Sequence, residues 1–478
     1  RATVRPGGTE ACANGLDDDC DTLRDCADTA CSSMCGVLEV LSGSGQSAAI
    51  HAPLGAPIRL RVTDGMGGPL MGRAVTLSTF GVSAPSYSLL TDALGEVSFA
   101  GMRAGYSLSP ETITFSSFGV LDVTATVTAT APAAGTILSI FNGPRYNTPR
   151  GVPGPTYDAG TNAPIDAGLT GAADGTLYFP LGNRIYRLSP SGRLAPFVGS
   201  GAGFGPPLVD GADALSVAAS WGGGTVLALD EPRNRLYFSR SCAIYYVDFA
   251  SNQVHPYLNR TETSDFTGDG GLAVDARTYN VESMAVTASG VLFFSVSGSS
   301  AGPRRVRYID TSGRVDSVIA TGGGTPALYL GGFVGPVSTI PGSDDVLLTT
   351  PSCVIAGTSR ACILRLDVAG NITHLAGGLG SATMDGIPAT TASIGSVGPS
   401  LMLSTGEIIV NESGDHLLRR IDAMGNITTI AGTGVAGDTG DGGPALGARI
   451  QSVGAITAWR GTHIAFWQAS ARAVRGIW

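Results

Sequence analysis

Leu418–Arg449 reads LRRIDAMGNITTIAGTGVAGDTGDGGPALGAR, and the order of its parts decides the fold. A strand-like run, Leu418-Arg419-Arg420-Ile421-Asp422, enters a Gly-bearing turn. A second run, Ile427–Ala431, leaves it, and a Gly/Asp-rich stretch follows. Short apolar runs bounded by turn residues are strand signals. The first run recurs as Arg184–Leu188, Ile244–Asp248, Val306–Asp310, Ile363–Asp367 and Val474–Trp478. The steps are about 55 to 62 residues, the spacing of propeller blades. A further run precedes each of the first five: Leu177–Phe179, Leu236–Phe238, Leu292–Phe294, Val346–Leu348 and Ile408–Val410. Another follows each: Leu194–Val198, Gln253–Leu258, Val315–Ala320, Ile372–Ala376 and Ile427–Ala431. Six units predict a six-bladed β-propeller over residues 131–478. The sixth recurrence reaches Trp478 with no strand behind it, whereas Thr136–Phe141 has the missing pattern. Residues 136–141 are therefore expected to close the last blade, which removes two free sheet edges.

Leu418–Arg449 resembles the NHL repeats of bacterial and teneurin-type propellers, and Asp269-Gly270-Gly271 and Asp385-Gly386 are weaker echoes of it. The resemblance implies a stiff ring whose loops form one broad face. Asp before Gly is a favoured turn pair, so these elements read as turns rather than cation loops.

Residues 36–130 form a second module. Ile58–Asp64 and Ala74–Ser78 alternate apolar and polar residues, as half-buried strands do. Gly67-Gly68-Pro69 and Asp92-Ala93-Leu94-Gly95 mark turns, and Leu121–Thr130 is a last Val/Thr-rich strand. The pattern predicts a β-sandwich. Its order of motifs, from Gly43-Ser44-Gly45-Gln46 through Leu60-Arg61-Val62-Thr63-Asp64 to Thr91-Asp92, resembles bacterial Ig-like domains of the invasin/intimin type. That resemblance implies a spacer or an adhesive stalk.

Residues 1–35 have too few apolar side chains to bury a core. They must be stapled instead. Asp17, Asp19, Asp21, Asp25 and Asp28 take positions 1, 3, 5, 9 and 12 of a calcium loop, and Leu23 supplies the backbone carbonyl at position 7. Thr22 stands where Gly permits the sharp turn, and Asp28 replaces the longer bidentate Glu. Both changes weaken or reshape the site. Cys12, Cys20, Cys26 and Cys31 alternate with the acids and are disulfide candidates. The stretch resembles thrombospondin type 3 calcium repeats and a metal-binding motif of secreted bacterial proteins, and the expected cofactor is calcium.

The fold class expected is thus all-β: a six-bladed β-propeller, an N-terminal Ig-like β-sandwich and a small disulfide- and metal-stapled N-terminal segment. Eight Cys point to an oxidising compartment. Cys353 and Cys362 flank a Gly/Ser/Arg segment and read as a hairpin disulfide. Cys242 and one N-terminal Cys remain, to pair with each other or to bridge subunits. The chain starts at Arg1, so a removed leader and a secreted or cell-surface bacterial protein are expected. Every basic residue is Arg, and the net charge is −9. That balance argues against nucleic acid, which needs a basic face. No apolar run reaches the length that crosses a bilayer.

Catalysis by a propeller metal site needs clustered His and carboxylates. Of the propeller histidines, His255 and His374 fall on outer strands, which leaves only His416 and His463. The expected catalytic set is therefore none, and the protein is read as a non-enzyme. The functional expectation is a binding or scaffold protein that recognises a protein or glycan. A homopolymeric extracellular fibre is the second reading and a secreted hydrolase or lyase the third.

Overall fold

A computed structural model describes residues 36–142, 168–296 and 305–478, apart from short gaps at 51, 80–81, 83, 106–107, 191–193, 204, 219–223, 321–328, 331–333, 356–357, 379–383 and 470–472. Among the described residues the chain is all-β, with helix confined to single 3-10 turns such as Ala273–Asp275 and Ala445–Gly447. No helix among them is long and apolar enough to cross a membrane. The chain divides into two compact units.

The smaller unit is a two-sheet β-sandwich. Val37–Ser42, Ile58–Thr63 and Glu96–Phe99 form one sheet. Gln46–Ala49, Val123–Thr130, Pro110–Ser117, Ala74–Ser78 and Ser88–Leu90 form the other. Strand alternation sends one face inward: in Ile58–Thr63 the buried residues are Ile58, Leu60 and Val62. They meet Val75, Leu77, Ile113, Phe115 and Val127 in one core. The rings of Phe99 and Phe115, 5.2 Å apart, join the two sheets.

The larger unit is a ring of six sheets. Each holds four strands, inner to outer, in chain order except for the outer strand of blade 6, and blades 2, 4 and 5 hold a short extra strand. Second strands such as Leu292–Val296 are buried along their whole length. They read as continuous apolar runs because a blade lies on each side. Each fully buried Phe there, Phe293 and Phe294 among them, contributes about 1.5–3 kcal/mol. Apolar clusters tie blade 1 to 2, 2 to 3, 3 to 4, 4 to 5 and 5 to 6. Blade 6 meets blade 1 through the Gly171 N–H on Thr457 Oγ1 at 3.0 Å and the Trp459 indole N–H on the Gly175 carbonyl at 2.9 Å. The outer strand of blade 6 is Ile137–Asn142, antiparallel to Ala473–Ile477 with Ile137 opposite Ile477.

The Asp-Gly elements do more than turn the chain. In blade 3, Arg307 on the third strand is fully buried and reaches Asp269, whose other oxygen accepts from the Ser317 hydroxyl. Ser317 is the residue directly across the ladder from Arg307. Blade 5 does the same with Arg419, Asp385 and Thr429, except that both donors there meet one oxygen, Asp385 Oδ1. Blade 6 repeats the blade 3 arrangement with Arg475, Asp441 and Ser139. Each aspartate laces the third and outer strands of its own blade together. The segments that carry Asp269 and Asp441 also share a backbone need. Gly268 and Gly440 have φ of +95° and +99°, and a Cβ there would lie 2.5 Å from Ala276 Cβ and 2.7 Å from Ala448 Cα. Only glycine fits both demands.

Cys353 and Cys362 are joined, with Cα atoms 6.0 Å apart, across the long hairpin of blade 4. Cys242 corrects an expectation. It is a free thiol, 1% exposed, that donates to the Glu262 carbonyl at 3.1 Å. Buried inside blade 2, it has no surface from which to reach another subunit.

Candidate functional site

The ring encloses a cavity of about 500 Å³, lined by the inner strand of every blade. Size and place match ligand sites in general. Its wall is mostly uncharged: Thr170, Leu229, Met284, Ser338, Met402 and Ile456 come from blades 1 to 6 in turn. This follows from the inner strands themselves. Val453–Trp459 buries alternate residues against the flanking blades, and Gly454, Ile456 and Ala458 between them are partly open.

Among the described residues three acids line the cavity: Asp230, Glu231 and Glu282. Asp230 is 2% exposed and holds the Arg233 guanidinium at 3.2 Å. Glu231 accepts from the Ala173 N–H at 2.9 Å. Glu282 is exposed where the third blade's inner strand begins. Among the described residues no three His, Cys, Asp or Glu side chains converge as a metal would require.

The described histidines, all four of them in the ring, lie away from the cavity wall. His255 is on the outer strand of blade 2, stacked on Tyr246 with ring centroids 5.0 Å apart and paired with Asp210 at 2.6 Å. His374 is on the outer strand of blade 4, 2.7 Å from the Gly377 carbonyl. His416 sits in a turn with φ +56°. His463 packs on Trp478, and burial, helped by Arg460, pushes its pKa below the usual imidazole range.

Asp17, Asp19, Asp21, Leu23, Asp25 and Asp28, with Cys12, Cys20, Cys26 and Cys31, lie outside the described residues. The cavity residues themselves carry no motif. They are ordinary inner-strand residues, recognisable only by counting to the first strand of each blade.

No family model matches the chain, and no curated protein matches it. Solved structures resemble its fold. An auxiliary nutrient binding protein from Bacteroides thetaiotaomicron is 13% identical, with 93% of this chain and 97% of that one covered at a TM-score of 0.48. An auxiliary nutrient binding protein from Bacteroides ovatus is 12% identical, covering 93% and 97% at 0.46. A gluconolactonase from Xanthomonas campestris is 11% identical, covering 66% and 86% at 0.39. Likenesses this remote leave function to the chemistry of the site.

Proposed function

We propose that this chain is an extracellular, non-catalytic binding protein whose ring recognises a protein or glycan at the mouth of its cavity. The observation that carries the reading is the way the cavity's acids are employed. Asp230 is held by Arg233 and Glu231 by the Ala173 amide, so both serve the fold. A wall of Met, Leu, Ile, Ser and Thr suits contact with sugar rings or apolar side chains through burial and single hydrogen bonds. Rigid strands beneath such a wall keep the entropy cost of binding low.

The test is a glycan array and a peptide display library probed with the whole protein, followed by calorimetry on any hit with and without chelator. Binding should survive the chelator at the cavity and fall at least tenfold in Ile456→Arg, which places a long charged chain in the wall. Cation-dependent turnover of a lactone or glycan, lost in Glu282→Gln, would refute the non-catalytic reading.

A further inference from the structure

Four blades bury an arginine at the same place, where the second and third strands meet the Asp-Gly segment. In blade 3 the buried Arg307 meets the solvent-reached Asp269, beside the apolar Val296, and Arg305 lies 3.9 Å from the same carboxylate. In blade 6 the buried Arg475 meets Asp441 in the same way, and the neighbouring second-strand residue is Gln468, which accepts from Arg475 at 3.0 Å. Blade 2 pairs Arg240 with Glu262. Among the described residues each of these buried arginines pairs with a single carboxylate. Blade 5 differs. Glu412 stands where blade 6 has Gln468, so the fully buried Arg419 lies between Glu412 at 3.3 Å and Asp385 at 3.1 Å. Glu412 is 1% exposed. One guanidinium cannot balance two carboxylates; the Asp385 side chain keeps 48% exposure and can draw on water, so the proton goes to the buried Glu412.

We propose that blade 5 carries a proton-operated clasp, closed when Glu412 is neutral and Asp385 ionised, and loosened when both are charged. A neutral Glu412 still accepts a hydrogen bond from Arg419 but leaves its charge to Asp385. An ionised Glu412 competes for that charge. Two directions support this. Burial pushes the Glu412 carboxyl up, against the pull of Arg419, and the nearby Asp415 and Asp385 push the same way as burial. For Asp385 burial also pushes up, but the Thr429 N–H and hydroxyl and Arg419 outweigh it and hold the carboxyl below its usual range. As pH falls from neutral, Glu412 takes its proton first and the clasp tightens. On further fall Asp385 protonates and the clasp opens. The charged groups around Glu412 are Arg419 on the next strand, Asp385 on the crossing segment and Asp415 in the turn, which also carries His416. The crossing segment continues to Val397, which pairs with Glu412, and then to Pro399 and Ser400 in the cavity wall. The clasp therefore adjoins the cavity rim.

Hydrogen exchange on the full chain tests it. The Gly386 N–H, on the Ile427 carbonyl at 2.8 Å, reports the blade 5 segment. The Gly442 N–H, on the Ile137 carbonyl at 2.9 Å in blade 6, is its internal control. Between pH 8 and mildly acidic pH, protection of Gly386 relative to Gly442, corrected for intrinsic rates, should rise about fivefold or more, the scale of a modest coupling. It should fall again at lower pH. Glu412→Gln should hold the ratio high and flat over the upper range, and Asp385→Asn should lower it at every pH at which Asp385 is ionised in the wild type. A constant ratio in the wild type, or a Glu412→Gln profile that follows the wild type, overturns the proposal. If Glu412→Gln does not fold, the wild-type profile decides alone.

Discussion

Replacing Arg475 by methionine keeps most of the side-chain volume and removes the charge that binds the closing blade. The guanidinium is 1% exposed. It donates to Asp441 from Nε at 3.0 Å and from Nη2 at 2.7 Å. It also reaches the Arg449 carbonyl at 2.9 Å, the Gln468 side chain at 3.0 Å and the Thr439 carbonyl at 3.2 Å. Deleting one partner of a buried pair costs about 3–5 kcal/mol. Asp441 keeps 39% exposure and can be re-solvated, so the low end applies. Two orphaned carbonyls keep the loss from falling far below it. The expected loss is about 3 kcal/mol, which lowers Tm by roughly 4 °C at an unfolding entropy of about 2.1 cal/mol/K per residue over the ring. Trp459, Trp467 and Trp478 all belong to this blade or its end, so tryptophan fluorescence during urea unfolding reads the effect where it arises. Asp441→Asn alone should cost less. In the double variant the two losses should fail to add, by more than about 1 kcal/mol. A Tm within 2 °C of wild type for Arg475→Met would refute the claim that this contact fastens the blade.

Gly440→Ala should destabilise by about 2 kcal/mol, from a positive φ and a Cβ against Ala448, whereas Gly447→Ala, with open space around it, should change thermal unfolding little. Cys353→Ser with Cys362→Ser should cost about 2–3 kcal/mol for so short a loop, visible as a Tm that no longer responds to reductant. His463, held neutral by burial, lends stability that is complete above the unfolded imidazole's pKa of about 6.5 and is lost as pH falls toward its lower folded value. His463→Gln should flatten the wild-type decline in Tm between about pH 7 and 5. Calcium titration should show binding that Asp19→Ala with Asp21→Ala abolishes, and a chelator should speed proteolysis between Asp17 and Asp28. Equal proteolysis with and without chelator would dismiss the site.

The ring was legible because each blade repeats one apolar-strand pattern, and second strands covered on both sides cannot hide their apolar runs. The all-β class follows from the same runs and from the alternation in Ile58–Thr63. The aspartate lacing was not legible. Asp269 meets an arginine 38 positions on, and Asp385 and Asp441 meet theirs 34 on. Nothing in a local window joins them. The usable signal was there as an interval: an Asp-Gly pair followed by an arginine one place into the third strand. Blade 2 shows why the interval alone is incomplete. Tyr245 occupies the arginine's place, and Asp210 turns to His255 instead. The cavity was harder still, because its residues are chosen by position around the ring and by small size, and neither leaves a pattern along the chain.

The strand Ile137–Asn142 is made more than 300 residues before Ala473–Ile477, the strand it pairs with. At about 5–20 residues per second, ribosomes take tens of seconds to cover the interval. Throughout that time five wedges can assemble while a lone ribbon waits with its hydrogen-bonding edge unmet, the condition that recruits wrong partners. Such topology folds slowly, because its decisive contact spans the module. Whatever escorts this chain during synthesis has most to do at Ile137, and overproduction at low temperature should yield more native material than production at speed.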